Sequence, residues 1–189
     1  MAPATAGNSR RVGKRNLPLS RVYALLEPGP VVLLTTAYRG RANVMTQSWH
    51  TMVEFEPPLV ACVVSDRSCS FSYLRATREC VINIPSVRQA AQVVGCGNCS
   101  GRTVDKFARF GLTALPAARV QPPLIAECHA SFECKVVDTR LVSKYDLFIL
   151  QVVKAWARPA RQQPRTIHHL GWGSFMISGR VIELPSRMR

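Results

Sequence analysis

No uninterrupted apolar run in this sequence reaches the roughly 18 residues a membrane-spanning helix needs. The N-terminal stretch carries charged residues and no apolar h-region, which argues against a secretory signal and for a cytoplasmic protein. Acidic residues are scarce, 11 Asp and Glu against 25 Lys and Arg, for a formal charge of +14. A surface this basic attracts polyanions. Yet the sequence has no recognition-helix pattern, no zinc finger and no basic stripe interleaved with aromatics, so dedicated nucleic-acid binding is not expected. Arg10, Arg11, Lys14 and Arg15 lie in a Gly/Ala/Ser-containing leader, and the other cations are spread thinly among apolar runs. The distribution reads as a basic tail on a basic globular domain, with attraction of smaller anions such as dinucleotide phosphates as the functional alternative.

Three chemical signatures are also missing. The glycine-rich dinucleotide fingerprint is absent, so nothing points to a Rossmann domain. No Ser/His/Asp order and no paired-carboxylate motif compels hydrolysis. The seven cysteines offer only one compact spacing, "CGNC" at 96–99, and the interval from Cys128 to Cys134 is not the second knuckle of a zinc site. An odd count without a secretory signal favours reduced thiols. A thioredoxin-like pair would sit between a strand and a helix, whereas "CGNCSG" reads as a loop. His168 and His169 are adjacent, so in a strand they face opposite ways and make a poor metal pair.

The 189 residues, 47% of them hydrophobic, suit one core. Residues 1–16 read as a flexible basic leader and 17–189 as a single domain. "SRVYALLEPG" predicts a short helix stopped by Pro28 and Gly29. "PVVLLTTAY" (30–38) predicts a strand, "RG" a turn, and "RANVMTQSWHTMVE" an alternating segment able to pair with it. "PPLVACVVS" (57–65) is a further strand, "SFSYLRATRE" (70–79) a helix that Ser70 could cap, and "CVINIP" a strand. "SVRQAAQVVG" reads as a second helix, followed by a loop and short helix in "CGNCSGRTVDKFARFG". "IAECHASFECKVVDTRLV" and "DLFILQVVKAWAR" form two long strand segments around a turn near Lys144, and "SFMISGRVIEL" adds a last strand. Strands outnumber helices without a regular strand–helix period, which favours a mainly β barrel with short helical excursions.

Three stretches carry chemistry. "NVMTQSW" (43–49) places neutral hydrogen-bonding side chains at a sheet edge; the residue types alone also allow Asn43 to cap a turn and Trp49 to fill a core. "SDRSCS" (65–70) offers Ser65, Arg67, Ser68 and Ser70 where a strand meets a helix, donors that suit a phosphate monoester, or an ordinary capped loop. "SGRTVDKF" has a flexible glycine and a cation, Lys106, that could face an anion or solvent.

Those segments, with "PVVLLTT", "ECVINIP", "PPLIAECHASFECKV" and "GWGSF", in this order over about residues 28–180, resemble the flavin reductase-like family, the flavoredoxin-type FMN-binding split β-barrels. The resemblance implies a homodimer that holds FMN at the subunit interface and takes hydride from NADH or NADPH. It implies that Asn43, Met45, Thr46 and Ser48 contact the ring and ribityl chain, with Trp49 packed behind them. Ser65, Arg67, Ser68 and Ser70 would hold the phosphate. Ser100, Arg102 and Lys106 would approach the flavin, and Asn83 would either contact it or brace the backbone. His169 or Trp172 would line the substrate side. A partner monooxygenase or electron-transfer protein is compatible with this reading. So are an FMN-containing electron carrier and a flavin-binding protein with little turnover.

Overall fold

The computed structural model describes residues 29–158 and 164–185. The basic leader, and the helix expected in "SRVYALLEPG" up to Pro28, lie outside the described residues. Strands β1 (Val32–Tyr38) and β2 (Arg41–Gln47) form a hairpin in register from Val32 opposite Gln47 to Tyr38 opposite Arg41. Its two-residue turn places Arg39 at φ 50° and Gly40 at φ 76°, the left-handed pair that matches strand twist. β3 (His50–Glu54) and β4 (Leu59–Val63) form a second hairpin. Helix α1 (Cys69–Thr77) leads into β5 (Glu79–Ile84). A 3-10 turn, Val87–Gln89, opens α2 (Ala90–Gly97), and α3 (Lys106–Phe110) follows. The short strands β6 (Ala114–Leu115) and β7 (Leu124–Ile125) pair with each other. β8 (Ala130–Asp138), the one-turn α4 (Val142–Tyr145) and β9 (Leu147–Ala157) come next, then the hairpin of β10 (Ile167–Gly171) and β11 (Ser174–Ile177).

Seven strands make one antiparallel sheet in the order β2-β1-β5-β8-β9-β4-β3. The fold is therefore mixed α/β, dominated by a large antiparallel sheet whose ladder ends at β2 on one side and β3 on the other. Those ends are consecutive in the chain. From the end of β2, the Gln47 amide nitrogen donates to Trp49 O in the link at 2.6 Å and to Val63 O at the end of β4 at 3.2 Å. No helix among the described residues is long and apolar enough to cross a membrane.

The run "VVLL" is apolar throughout because β1 is buried on both faces. Val32 and Leu34 join Val60, Leu74, Ile82, Cys134, Phe148 and Leu150 in one core, while Val31 and Leu33 join Val44, Val93, Cys96, Ile125 and Ile167 in another. The second core seats α2 against β2. Two buried polar side chains brace this frame. Asn83 donates to Leu33 O (3.1 Å) and accepts from Ile125 N (3.0 Å) and Ser131 Oγ (2.7 Å). Glu133, 0% exposed on β8, accepts from Ala118 N (3.0 Å), Arg119 N (2.6 Å) and Trp156 Nε1 (2.7 Å).

Candidate functional site

The strand-to-helix junction after β4 builds the first wall. Ser68, not Ser70, caps α1: its Oγ accepts from Phe71 N at 3.0 Å. The helix thus starts one residue earlier than expected, because the first serine whose hydroxyl can reach the third helical amide takes the cap. The amides of Cys69 and Ser70, at the first two helical positions, have no acceptor within the helix. Ser70 turns inward instead, its buried Oγ accepting from Asn43 Nδ2 at 2.8 Å and Thr36 Oγ1 at 3.3 Å. Ser65 Oγ accepts from Arg67 N at 3.4 Å.

The opposite wall is the end of α2 and the loop after it. "CGNC" is not all loop: Cys96 and Gly97 finish α2 and Asn98 is its cap, with Asn98 N bonded to Val94 O at 3.1 Å. Arg41 Nη2 donates to Gly101 O at 2.9 Å, and a Cβ on Gly101 would lie 1.9 Å from Asn43 Oδ1. Only glycine allows that approach of loop to strand. Arg102 reaches across the site and donates to Arg67 O (2.7 Å) and Ser68 O (3.4 Å), so its guanidinium braces the α1 loop. Lys106 is 5% exposed. Its ammonium donates to Cys96 O at 2.7 Å, and neither ion pair among the described residues involves it. Burial pulls its pKa below the ordinary lysine range.

Between these walls lies a cavity of about 360 Å³, lined by Asn43, Met45, Thr46, Ser65, Arg67, Ser68, Ser70, Ser100 and Lys106, with Cys69 and 96–99 completing it. Thr46, Gly97 and Asn98 also line a second cavity of about 280 Å³, whose remaining wall is Val31, Gln47, Ser48, Val93, Val94, His169, Gly173 and Phe175. The first cavity is cationic and rich in hydroxyls, and the second, across the shared wall, mixes apolar side chains with Gln47, Ser48 and His169. His169 stands against Phe175 with ring centroids 5.4 Å apart, while His168 Nε2 contacts Thr166 Oγ1 at 2.8 Å.

The profile of the flavin reductase like domain matches residues 25–172. The chain belongs to this family. It is 33% identical over 185 residues to the YddH protein of Escherichia coli K12, covering 89% of this chain and 97% of that one. It is 26% identical over 122 residues to the FMN reductase (NADH) RutF of Bradyrhizobium diazoefficiens, 65% of each chain. Among solved structures, the FMN-binding domain of a flavin reductases-like enzyme from Shewanella baltica OS155 superposes with a TM-score of 0.77 at 26% identity, over 89% of this chain and 96% of that one.

Within this family frame the expected residues divide into three groups. Met45, Thr46, Ser48, Ser65, Arg67, Ser68, Ser100, Lys106 and His169 line one or other of the two adjacent cavities. Asn43, 4% exposed, and Ser70 also reach the wall, but the bond between them holds strand to helix. Asn83, Arg102, Trp49 and Trp172 are not on either wall. Asn83 is a brace at the sheet centre. Trp49 does not pack behind the strand: it lies in the β2–β3 link and is 57% exposed. Trp172 sits at the β10–β11 tip at φ 48° and is 70% exposed. The sequence reading overlooked Gly97 and Asn98, which line both cavities. Their signal was the end of the α2 apolar pattern immediately before a cap residue.

Proposed function

We propose that this chain is an FMN-dependent oxidoreductase that takes hydride from NADH or NADPH, working as a cytoplasmic homodimer whose sheet forms a split β-barrel. The observation that carries the reading is the buried Lys106 ammonium, without a carboxylate partner among the described residues, lining a hydroxyl-rich cavity that shares a wall with a second one. A buried cation is costly unless a counter-charge meets it, and a phosphate monoester attached to a flat aromatic body supplies both requirements. The residues present fit FMN. FMN when bound supplies the hydride-accepting ring. Ser65, Arg67, Ser68 and the first amides of α1 would hold the phosphate by charge-assisted bonds. Met45, Thr46 and Asn98 would flank the flavin. Val31, Val93 and Phe175 would keep water from the ring, with Ser48 and His169 as its polar neighbours. No side chain is assigned as a proton donor, since hydride transfer needs alignment and exclusion of water more than an acid. The names of RutF and of the Shewanella baltica domain support this chemistry.

Anaerobic addition of NADH or NADPH to the FMN-loaded protein is expected to bleach the flavin absorbance within a turnover. Tight FMN binding with negligible bleaching by either donor, but rapid reduction once a redox protein is supplied, would replace this reading with that of an electron carrier.

The dimer is supported by apolar side chains left exposed along one edge: Trp49, Met52, Val53 and Phe55. A two-fold interface there would be self-complementary. Analytical ultracentrifugation with absorbance detection is expected to show FMN sedimenting with the dimer and released on dissociation. A monomer at micromolar concentration that binds FMN fully would reject the dimeric site.

A further inference from the structure

The flavin cavity carries thiols that hydride transfer does not use. All seven cysteines lie among the described residues; six are buried and Cys99 alone is partly exposed. Burial pushes the Cys62 and Cys128 thiols up to about 12 and Cys96 up to about 11, and a hydrogen bond with Cys134, together with burial, holds Cys80 well above its usual value. Such thiols are slow to attack peroxide, because the thiolate is the reactive form, although one held beside a sulfenic acid can still close a disulfide within the chain. Cys99 differs in place. It lines the cavity beside Cys96 and Lys106, and its thiol donates to Gly95 O at 3.4 Å. A thiolate formed there would share its cavity with an ammonium instead of the apolar core that surrounds most of the others.

Cys96 and Cys99 are also correctly spaced for each other. Asn98 N bonds to Val94 O and Gly95 O, and Asn98 itself is in the right-handed helical region, so the chain from Cys96 to Cys99 is close to one helical turn. Helix geometry then separates the two Cα atoms by about 5 Å, inside the roughly 4.4 to 6.8 Å that a disulfide spans. Exposure of one thiol beside a buried second one is the arrangement in which a sulfenic acid is captured before further oxidation.

We infer that Cys99 is a peroxide-oxidation site and that Cys96 resolves its product as an intramolecular disulfide in the wall of the flavin cavity. The Cys99 sulfur attacks one oxygen of hydrogen peroxide, the O–O bond breaks, and water leaves a sulfenic acid. The Cys96 sulfur then attacks the Cys99 sulfur; hydroxide departs and takes the Cys96 proton as a second water. In sum, two thiols and one peroxide become one disulfide and two waters, the sulfur pair losing the two electrons that the peroxide gains. Closing the bond draws Cys96 from its core seat and pulls on Ser100 and Gly101, the segment that packs against Asn43. Oxidation therefore lowers FMN affinity, a consequence that rests on the flavin reading, whereas the chemistry at sulfur does not.

The test treats the full chain, reduced and free of FMN, with limiting hydrogen peroxide, alkylates the remaining thiols with iodoacetamide, and maps peptides by mass spectrometry. The expected product is the 96–99 peptide lacking two hydrogens and protected from alkylation. In Cys96→Ser the same dose leaves a sulfenic acid on Cys99 that dimedone traps. In the unoxidised wild type, iodoacetamide labels Cys99 at least about tenfold faster than Cys69 or Cys128. First oxidation at any other cysteine, or a Cys99 that neither links nor reacts with dimedone, overturns the proposal. Repeating the reaction with FMN added separates the two readings: slower oxidation supports both. Failure of FMN to bind at all, with the 96–99 disulfide still forming, sinks only the flavin site.

Discussion

Replacing Glu133 by Gln is expected to destabilise the chain by roughly 2 to 5 kcal/mol, since an amide cannot accept from all the donors the carboxylate holds. Glu133 is buried on β8 and anchors the Ala118 and Arg119 amides and the Trp156 indole, so it ties the 116–121 segment to the sheet. Burial by itself would raise its pKa. The hydrogen bonds from Ala118, Trp156 and Arg119 outweigh burial and hold the carboxyl below the usual range. A carboxylate lowered in the folded state contributes its full stability above the unfolded value, about 4.3 for Glu. That contribution is lost as pH falls through the lower folded value. Thermal melts of wild type and Glu133→Gln should thus differ by several degrees at pH 7 and draw together below about pH 4. A gap that stays constant into strong acid would mean that the charge is not what holds the segment.

Glu133 also shows where the sequence stops being informative. In "SFECKV" it alternates with Phe132 and Cys134, and alternation alone puts a glutamate on the solvent side of a strand. It is buried because the 116–121 segment, remote in sequence, covers that face and presents backbone donors to it. Asn83 could be read only as a flavin contact or a backbone brace, and its bonds to Leu33, Ile125 and Ser131, from three other segments, show the brace. Most long strands were legible, although "RANVMTQSWHTMVE" is two strands, the second pairing with β4, and β10 did not show. "VVLLTT" is apolar on both faces because two cores meet at β1, and the "RG" turn stands where expected.

At the site, "SDRSCS" offered residue types that suit a phosphate and, equally, an ordinary capped loop. Which serine capped the helix was not readable. Ser68 and Ser70 both precede an apolar residue, and the choice is made by Asn43 and Thr36, which claim the Ser70 hydroxyl from β2 and β1. Arg102 likewise looked like a ligand-facing cation because its sequence neighbours are, yet it is engaged by the carbonyls of Arg67 and Ser68. Trp49 looked like core by composition. Its position between two strands that end the sheet exposes it in the single chain, where a second copy would cover it under the dimer proposal.

Lys106→Met is expected to move ligand affinity and stability in opposite directions. The ammonium is buried beside Cys96 O without a carboxylate partner among the described residues, and burial lowers its pKa. Removing it loses one bond to the end of α2, worth about 1 kcal/mol, and relieves a desolvation cost of several kcal/mol. The FMN-free variant should therefore be as stable as wild type or more so, by about 1 kcal/mol. Wild type should also gain stability as pH rises through the lowered lysine pKa, because the folded chain gives up that proton more readily than the unfolded chain, and the variant should not. With FMN the order reverses. Loss of a charge-assisted contact of about 1.5 to 3 kcal/mol weakens FMN binding by roughly 10- to 150-fold. Riboflavin, which lacks the phosphate, should bind both proteins alike. Arg67→Ala, at the rim of the same cavity, should show the same selectivity with a loss of about 1 to 3 kcal/mol and no gain in stability. Fluorescence titrations with both flavins, beside melts of the ligand-free proteins, read all of this at once. Equal losses for FMN and riboflavin in Lys106→Met would remove Lys106 from the phosphate end of the site, and a marked fall in its ligand-free stability would make it a structural residue instead.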